Sequence, residues 1–195
     1  MAVAAGSYQI DAAFYREQDG RDIRLEYGAR VAPGDRLSLR VQGSIPLYVY
    51  IVNEDDRGAS FLLYPLRDEQ ASSPLPAGKR HEIPGVVNGV RTYWRINSAG
   101  GREHFVIFAS PDPPTPAFTR MFAELPRPTM DAPILAQPLT TDLVGALRGV
   151  GGLSTAPAKP TSSVLTKDMT VPLPEGEETA RGVWVRQLTL ENPVR

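Results

Sequence analysis

From Tyr8 to Phe14 the chain alternates. Tyr8, Ile10, Ala12 and Phe14 fall on one side of an extended strand, and Gln9, Asp11 and Ala13 on the other. Asp19-Gly20 follows, a pair suited to a tight I′ hairpin turn because both positions of that turn need positive φ. The partner strand sets Ile23, Leu25 and Tyr27 against Arg24 and Glu26. Pro33-Gly34 then fits a type II turn, with proline fixing φ at the first central position and glycine accepting positive φ at the second. Leu37, Leu39 and Val41, alternating with Arg36, Ser38 and Arg40, predict a strand with one wet face.

Two later runs do not alternate. Leu47-Tyr48-Val49-Tyr50-Ile51-Val52 and His104-Phe105-Val106-Ile107-Phe108-Ala109 are apolar on both sides, the signature of central strands covered on both faces. After the first run, a polar tip ending in Gly58 leads into Phe61 to Tyr64, and Pro65 ends the pairing because it has no N–H to donate. Residues 66–91 read mostly as loop, with a short strand at His81 to Ile83. Thr92 to Asn97 is expected to pair with His104 to Ala109 as a hairpin around Gly100-Gly101.

Beyond Ser110 the pattern changes. Pro111, Pro113, Pro114 and Pro116 introduce a predicted helix from Ala117 to Leu125. Thr140 is an N-cap for a second helix, with Leu139 and Val144 as a hydrophobic staple, Asp142 in the first turn, and Arg148-Gly149 at its end. Residues 151–180, rich in glycine, serine, threonine and proline, read as a long flexible loop. Val183 to Leu190 then recovers strand character and implies a return to the sheet. The fold class is therefore mainly β: an antiparallel, immunoglobulin-like β-sandwich, with one or two short helices after the sheet and a C-terminal strand returning to it. Residues 1–195 are read as one domain.

Composition narrows the function classes. The chain has 195 residues, 21 basic and 22 acidic side chains, and a net charge of −1. That balance provides no electrostatic footprint for nucleic acid or an anionic membrane. With no cysteine, disulfides and thiolate metal sites are excluded. The N-terminus lacks the pattern of a signal peptide, and no run approaches the ~18 apolar residues of a spanning helix. The sequence as written is expected to be cytoplasmic, or extracytoplasmic if it is a piece of a longer chain.

Candidate chemistry is sparse. His81 and His104 are the two histidines. A metal site could combine them with Glu82 or Glu103, but their separation favours structural roles. No Gly-x-Ser-x-Gly elbow is present, so no nucleophile and base can be paired. Glu54-Asp55-Asp56 lacks the spacing of a calcium loop and reads as a solvated turn tip. Gly149-Val150-Gly151-Gly152 follows a helix and has no lysine partner, so helix C-capping explains it better than phosphate binding. No catalytic residue, metal or cofactor is expected. Tyr48, Tyr50, Tyr93, Trp94 and Trp184 fit either core filling or an aromatic groove, and Tyr48, Tyr50 and Trp94 are the candidates for protein contact. Arg36, Arg40 and Arg95 are expected to share an exposed sheet face.

Gly34-Asp35-Arg36-Leu37, the strand Leu47 to Val52, the turn ending at Gly58, and Leu62-Leu63-Tyr64-Pro65 resemble the bacterial domain of unknown function 4384. Pro76-Ala77-Gly78, Ile83-Pro84 and Glu103 to Ser110 continue the resemblance, which covers about residues 8–115. It implies an accessory module of the kind attached to bacterial protein kinases, caspase-like proteases or anchored regulators. The expected function is a non-enzymatic interaction or regulatory module of a bacterial signalling, stress or defence system, with a protein partner such as a protease, a kinase or another regulator. The alternative is a regulatory substrate or partner of a caspase-like protease or Ser/Thr kinase. Cleavage at Lys159 or Lys167, or modification at Thr155, Thr161, Ser162 or Ser163, would then fall in the 151–180 loop, whose composition suits nicking.

Overall fold

The computed structural model describes residues 6–55, 60–65, 73–87, 89–97, 100–114, 116, 137–138 and 178–193. The alternating N-terminal segment is β1 (Tyr8–Gln18), joined to β2 (Arg21–Arg24) by a turn in which Asp19 and Gly20 have φ of 52° and 76°. Both values are positive, as the I′ turn requires. Gly34 has φ of 95°, and the Asp35 amide donates to the Ala32 carbonyl at 3.0 Å, closing the Pro33-Gly34 turn. That turn feeds β3 (Arg36–Gly43), which pairs antiparallel with β1 from Ile10↔Gly43 to Glu17↔Arg36.

Two short strands, β6 (His81–Ile83) and β9 (Trp94–Arg95), add to the other edge of β3, and β12 (Glu178–Ala180) adds to the start of β1. The second sheet is built from β4 (Tyr48–Asp55), β5 (Ser60–Tyr64), β10 (Gly101–Ser110), β11 (Gln137–Pro138) and β13 (Trp184–Asn192). Its order is β11-β5-β4-β10-β13. Among the described residues, the strand pairings within both sheets are antiparallel. In immunoglobulin lettering, β1, β3 and β6 take the places of A, B and E, while β5, β4, β10 and β13 take those of C′, C, F and G. A separate ribbon, β7 (Gly85–Val87) with β8 (Val90–Thr92), stands off both sheets.

The two unbroken apolar runs are central, as their pattern predicts. β4 lies between β5 and β10, and β10 between β4 and β13. Ile51, Phe105 and Ile107 face the core between the sheets; Tyr50, Val52, Val106 and Phe108 point the other way and are equally buried. Across the core, the Phe14 ring lies 4.8 Å from Phe105 and 6.1 Å from Trp94, centroid to centroid. Leu37, Leu39 and Val41 complete the inner face of β3, and Arg36, Ser38 and Arg40 lie on its other side.

β12 and β13 seal one open side of the sandwich, since each extends a different sheet. Arg186 projects from the inner face of β13, opposite Ile107, and pairs with the Glu178 carboxylate on β12. Trp184 Nε1–H donates to the same carboxylate at 3.0 Å, and the Arg186 guanidinium lies 5.4 Å from the Trp184 ring centroid. The Tyr8 hydroxyl donates to the Gly182 carbonyl at 2.8 Å and so fixes the connection between these two strands. Burial raises the Tyr8 pKa to about 12.

Several expectations are corrected. Thr92 to Asn97 does not form a hairpin with β10. β9 pairs with β3 in the first sheet, so Gly100-Gly101 turns the chain from one sheet to the other. Trp94 explains the choice: it is apolar and faces the core from β9, opposite Leu37. In the first hairpin, pairing with β1 stops at Arg24 in β2. Leu25 is buried, but Ile23, paired with Arg16, and Tyr27, beyond the strand, are exposed. Glu54 is not part of a solvated tip; it belongs to β4 and is 2% exposed. The end of the 151–180 loop is strand, since Glu178–Ala180 pairs with Tyr8–Ile10. The helices expected at 117–125 and 140–149, and the rest of the loop, lie outside the described residues.

Candidate functional site

The outer face of the first sheet carries a closed ring of charge. Asp22 on β2 binds Arg40 on β3 and, at 2.8 Å, Arg91 on β8. Arg91 Nε donates to Glu82 on β6 at 2.7 Å, and Glu82 lies 3.9 Å from Arg40 Nε. Two arginines and two carboxylates therefore alternate around a neutral circuit. Each arginine also lies over an aromatic ring, Arg40 4.2 Å from the Tyr15 centroid and Arg91 5.0 Å from that of Tyr93. Register places one pair of these groups together, since Arg40 is opposite Glu82. The hydrogen bond from Arg91, helped by Arg40, holds the Asp22 carboxyl below the usual carboxylate range. Glu82 and Asp22 together raise the Arg91 pKa.

The ring anchors the β7–β8 ribbon at its base. Val86, opposite Arg91, is 69% exposed, and Val90, next to Arg91, is 67% exposed. Gly85 has φ of 75° where the ribbon begins, and a Cβ there would lie 2.6 Å from the Glu82 carbonyl oxygen. Only glycine fits that entry without displacement.

A second feature is a cleft of about 540 Å³ at the far end of β1. Arg16 lines it. Its Nη1 donates to the Arg30 carbonyl at 3.0 Å and to Asp35 at 3.3 Å, and its Nη2 to Gln18 at 3.3 Å. The Asp35 carboxylate also accepts the Ala32 amide at 3.0 Å. Segment 28–31 is tied to β13 through Gly28 N–H to the Thr189 carbonyl and Val31 N–H to the Glu191 carbonyl, both at 2.8 Å. Val31, Ala32 and Pro193 contribute apolar wall.

The structure does not gather the sequence-based candidates into one site. Tyr50 is 3% exposed on the outer face of the second sheet, and Tyr48 is half-buried nearby. Trp94 is 6% exposed in the core, and its Nε1–H is buried without an acceptor. Tyr93 belongs to the charged face and Trp184 to the seam. The five aromatics therefore do not line a common groove. Lys159 and Lys167 lie outside the described residues. His81 Nε2 lies 2.9 Å from the Pro76 carbonyl oxygen, whereas His104 Nδ1 lies 3.0 Å from Thr189 Oγ1 on the other sheet. Among the described residues no cluster of histidines and acids is placed to hold a metal. Arg36, Arg40 and Arg95 do share the outer face of the first sheet, Arg36 lying opposite Arg95. The ring is not legible in the sequence, because Asp22, Glu82 and Arg91 lie on three separate short strands.

No curated protein and no solved structure matches the chain. A family description, "Domain of unknown function (DUF4384)", matches residues 30–113. The matched stretch runs from the approach to β3 through the end of β10. It supplies β3, β6 and β9 of the first sheet, β4, β5 and β10 of the second, the ribbon and part of the cleft, while β1, β2, β11, β12 and β13 lie outside it. Residues 30–113 are thus similar to the DUF4384 family, whose function is unknown.

Proposed function

We propose that this protein is a non-enzymatic interaction module that binds a protein partner within a bacterial signalling, stress or defence system. The observation carrying this reading is the β7–β8 ribbon, which displays Val86 and Val90 to solvent on a base fixed by Arg91 to Asp22 and Glu82. Exposed apolar side chains on a preorganised support lower the ordering cost of association. The histidines support the same reading, since their ring contacts lie on separate sheets.

The test places a photocrosslinking residue at Val86 in the full chain and compares it with the same residue at Arg24. A partner should crosslink from position 86, and the folded Val86→Asp/Val90→Asp variant should lose that partner. Equal capture by the double variant removes the ribbon from the reading. Turnover of ester, peptide or phosphate substrates by the purified protein removes the non-enzymatic assignment. The second reading, a protease or kinase substrate, rests on the sequence of residues 151–180. Cleavage at Lys159 or Lys167, or phosphorylation in that segment, by the captured partner would favour it.

A further inference from the structure

We propose that the cleft at the end of β1 binds a carboxylate carrying a short apolar group, with Arg30 as its principal ligand. The argument begins with the charges around the cleft. Arg16, Glu17, Arg30 and Asp35 line it. Glu17 is taken by Arg36 at 3.3 Å and by the Gly20 amide at 2.8 Å. Asp35 is taken by Arg16 and the Ala32 amide. Glu191, whose backbone pairs beside Arg30, directs its carboxylate to Arg102 at 3.4 Å. Among the described residues, the nearby carboxylates are engaged, and the Arg30 guanidinium has no acid on it.

That cation stands on a rigid support. The Arg30 carbonyl accepts from Arg16, and the residues on either side of Arg30 are hydrogen-bonded to β13. Arg16 is therefore a positioning residue for Arg30, and its own Nε–H is buried without an acceptor. A planar guanidinium matches a carboxylate through two parallel hydrogen bonds. Glu17 and Asp35 lie in the same walls, so a dianion such as phosphate meets more repulsion than a single carboxylate. Val31, Ala32 and Pro193 suit a short aliphatic group, and the volume is within the range of small-ligand sites. The shared chemistry fits two sources, a small organic acid or the C-terminus of a peptide.

The experiment is an NMR titration of the full chain with N-acetyl-alanine, its amide, an acetylated tetrapeptide ending in alanine, and inorganic phosphate. Saturable shifts at residues 16–18 and 30–35 are expected with the acid and the free-ended tetrapeptide. Arg30→Ala should weaken the acid by at least about tenfold, the loss expected for one charged hydrogen-bonded contact. Arg30→Lys should recover part of that loss. Equal affinity for acid and tetrapeptide identifies the small acid as the source, and tighter binding of the tetrapeptide identifies the chain end. The proposal is overturned if the amide binds as well as the acid, if phosphate binds in preference, if Arg30→Ala leaves the affinity unchanged, or if no saturable shift occurs at tens of millimolar. These outcomes are independent of the ribbon and its partner.

Discussion

Arg186 and Glu178 form an ion pair between the two sheets, with the Arg186 side chain 4% and the Glu178 side chain 23% exposed. Each belongs to a strand that extends a different layer, so the pair ties the layers at their seam. Burial lowers the Arg186 pKa, yet a guanidinium keeps its proton in any accessible pH range. Glu178→Ala leaves that cation facing a site built for an anion and is expected to cost about 3–5 kcal/mol. Replacing both partners, as Glu178→Leu/Arg186→Met, should recover most of the loss, because the desolvation of two charges disappears with their attraction. Urea denaturation of the wild type, both single variants and the double variant measures the coupling.

The charged ring makes stability depend on acid pH through Asp22. Its folded-state pKa is depressed, first by the hydrogen bond from Arg91. The associated stabilisation is fully present above the unfolded value of about 3.9, and is lost as pH falls through the lower folded value. Asp22→Asn should flatten the stability profile in that window and leave its slope above pH about 5 unchanged. Urea midpoints measured across the acid range test this, and hydrogen exchange in β7 and β8 should rise in the variant.

Trp94 fills core volume without using its polar edge. It packs near Phe14, and its Nε1–H has no acceptor. Trp94→Phe therefore removes a buried donor along with some volume, and should cost under about 2 kcal/mol, against about 3–5 kcal/mol for Trp94→Ala. A Phe variant as damaging as the Ala variant would show that the indole nitrogen has a partner after all. Thermal and chemical denaturation resolve the two.

Two glycines of the ribbon share positive φ but differ in their surroundings. Gly89 has φ of 80° with open space around it, whereas Gly85 has φ of 75° and the Glu82 carbonyl close by. Gly89→Ala should lose only the roughly 1–2 kcal/mol of the left-handed conformation. Gly85→Ala adds a backbone clash and should lose more, with faster exchange at Arg91 as the base of the ribbon shifts. Equal losses would mean that the chain relaxes around Gly85.

The parts legible in the sequence were those where one local pattern had one physical outcome. Asp19-Gly20 and Pro33-Gly34 specified their turns, and the apolar runs at 47–52 and 104–109 specified central strands. The parts that were not legible depend on which distant segment a strand meets. Trp94-Arg95 has strand chemistry, but its own residues do not say whether β3 or β10 will pair with it; the core position opposite Leu37 decides. Glu178–Ala180 is too short and too polar to stand out, and becomes a strand because the edge of β1 is there to receive it. The charged ring needs residues from β2, β3, β6 and β8, and no spacing along the chain announces it. Arg30 resembles any loop arginine until the acids around it are seen to be engaged elsewhere.

β10 waits a long time for its neighbour. His104 and Thr189, which lie side by side across β10 and β13, are 85 residues apart in the chain. While a ribosome is still making the intervening residues, a strand destined for burial on both faces has an unpaired edge, a template for joining another nascent chain. Late closure by the final strand makes assembly slow relative to a domain of local hairpins. It also means that losing residues 184–192 would leave a sticky remnant instead of a smaller stable domain.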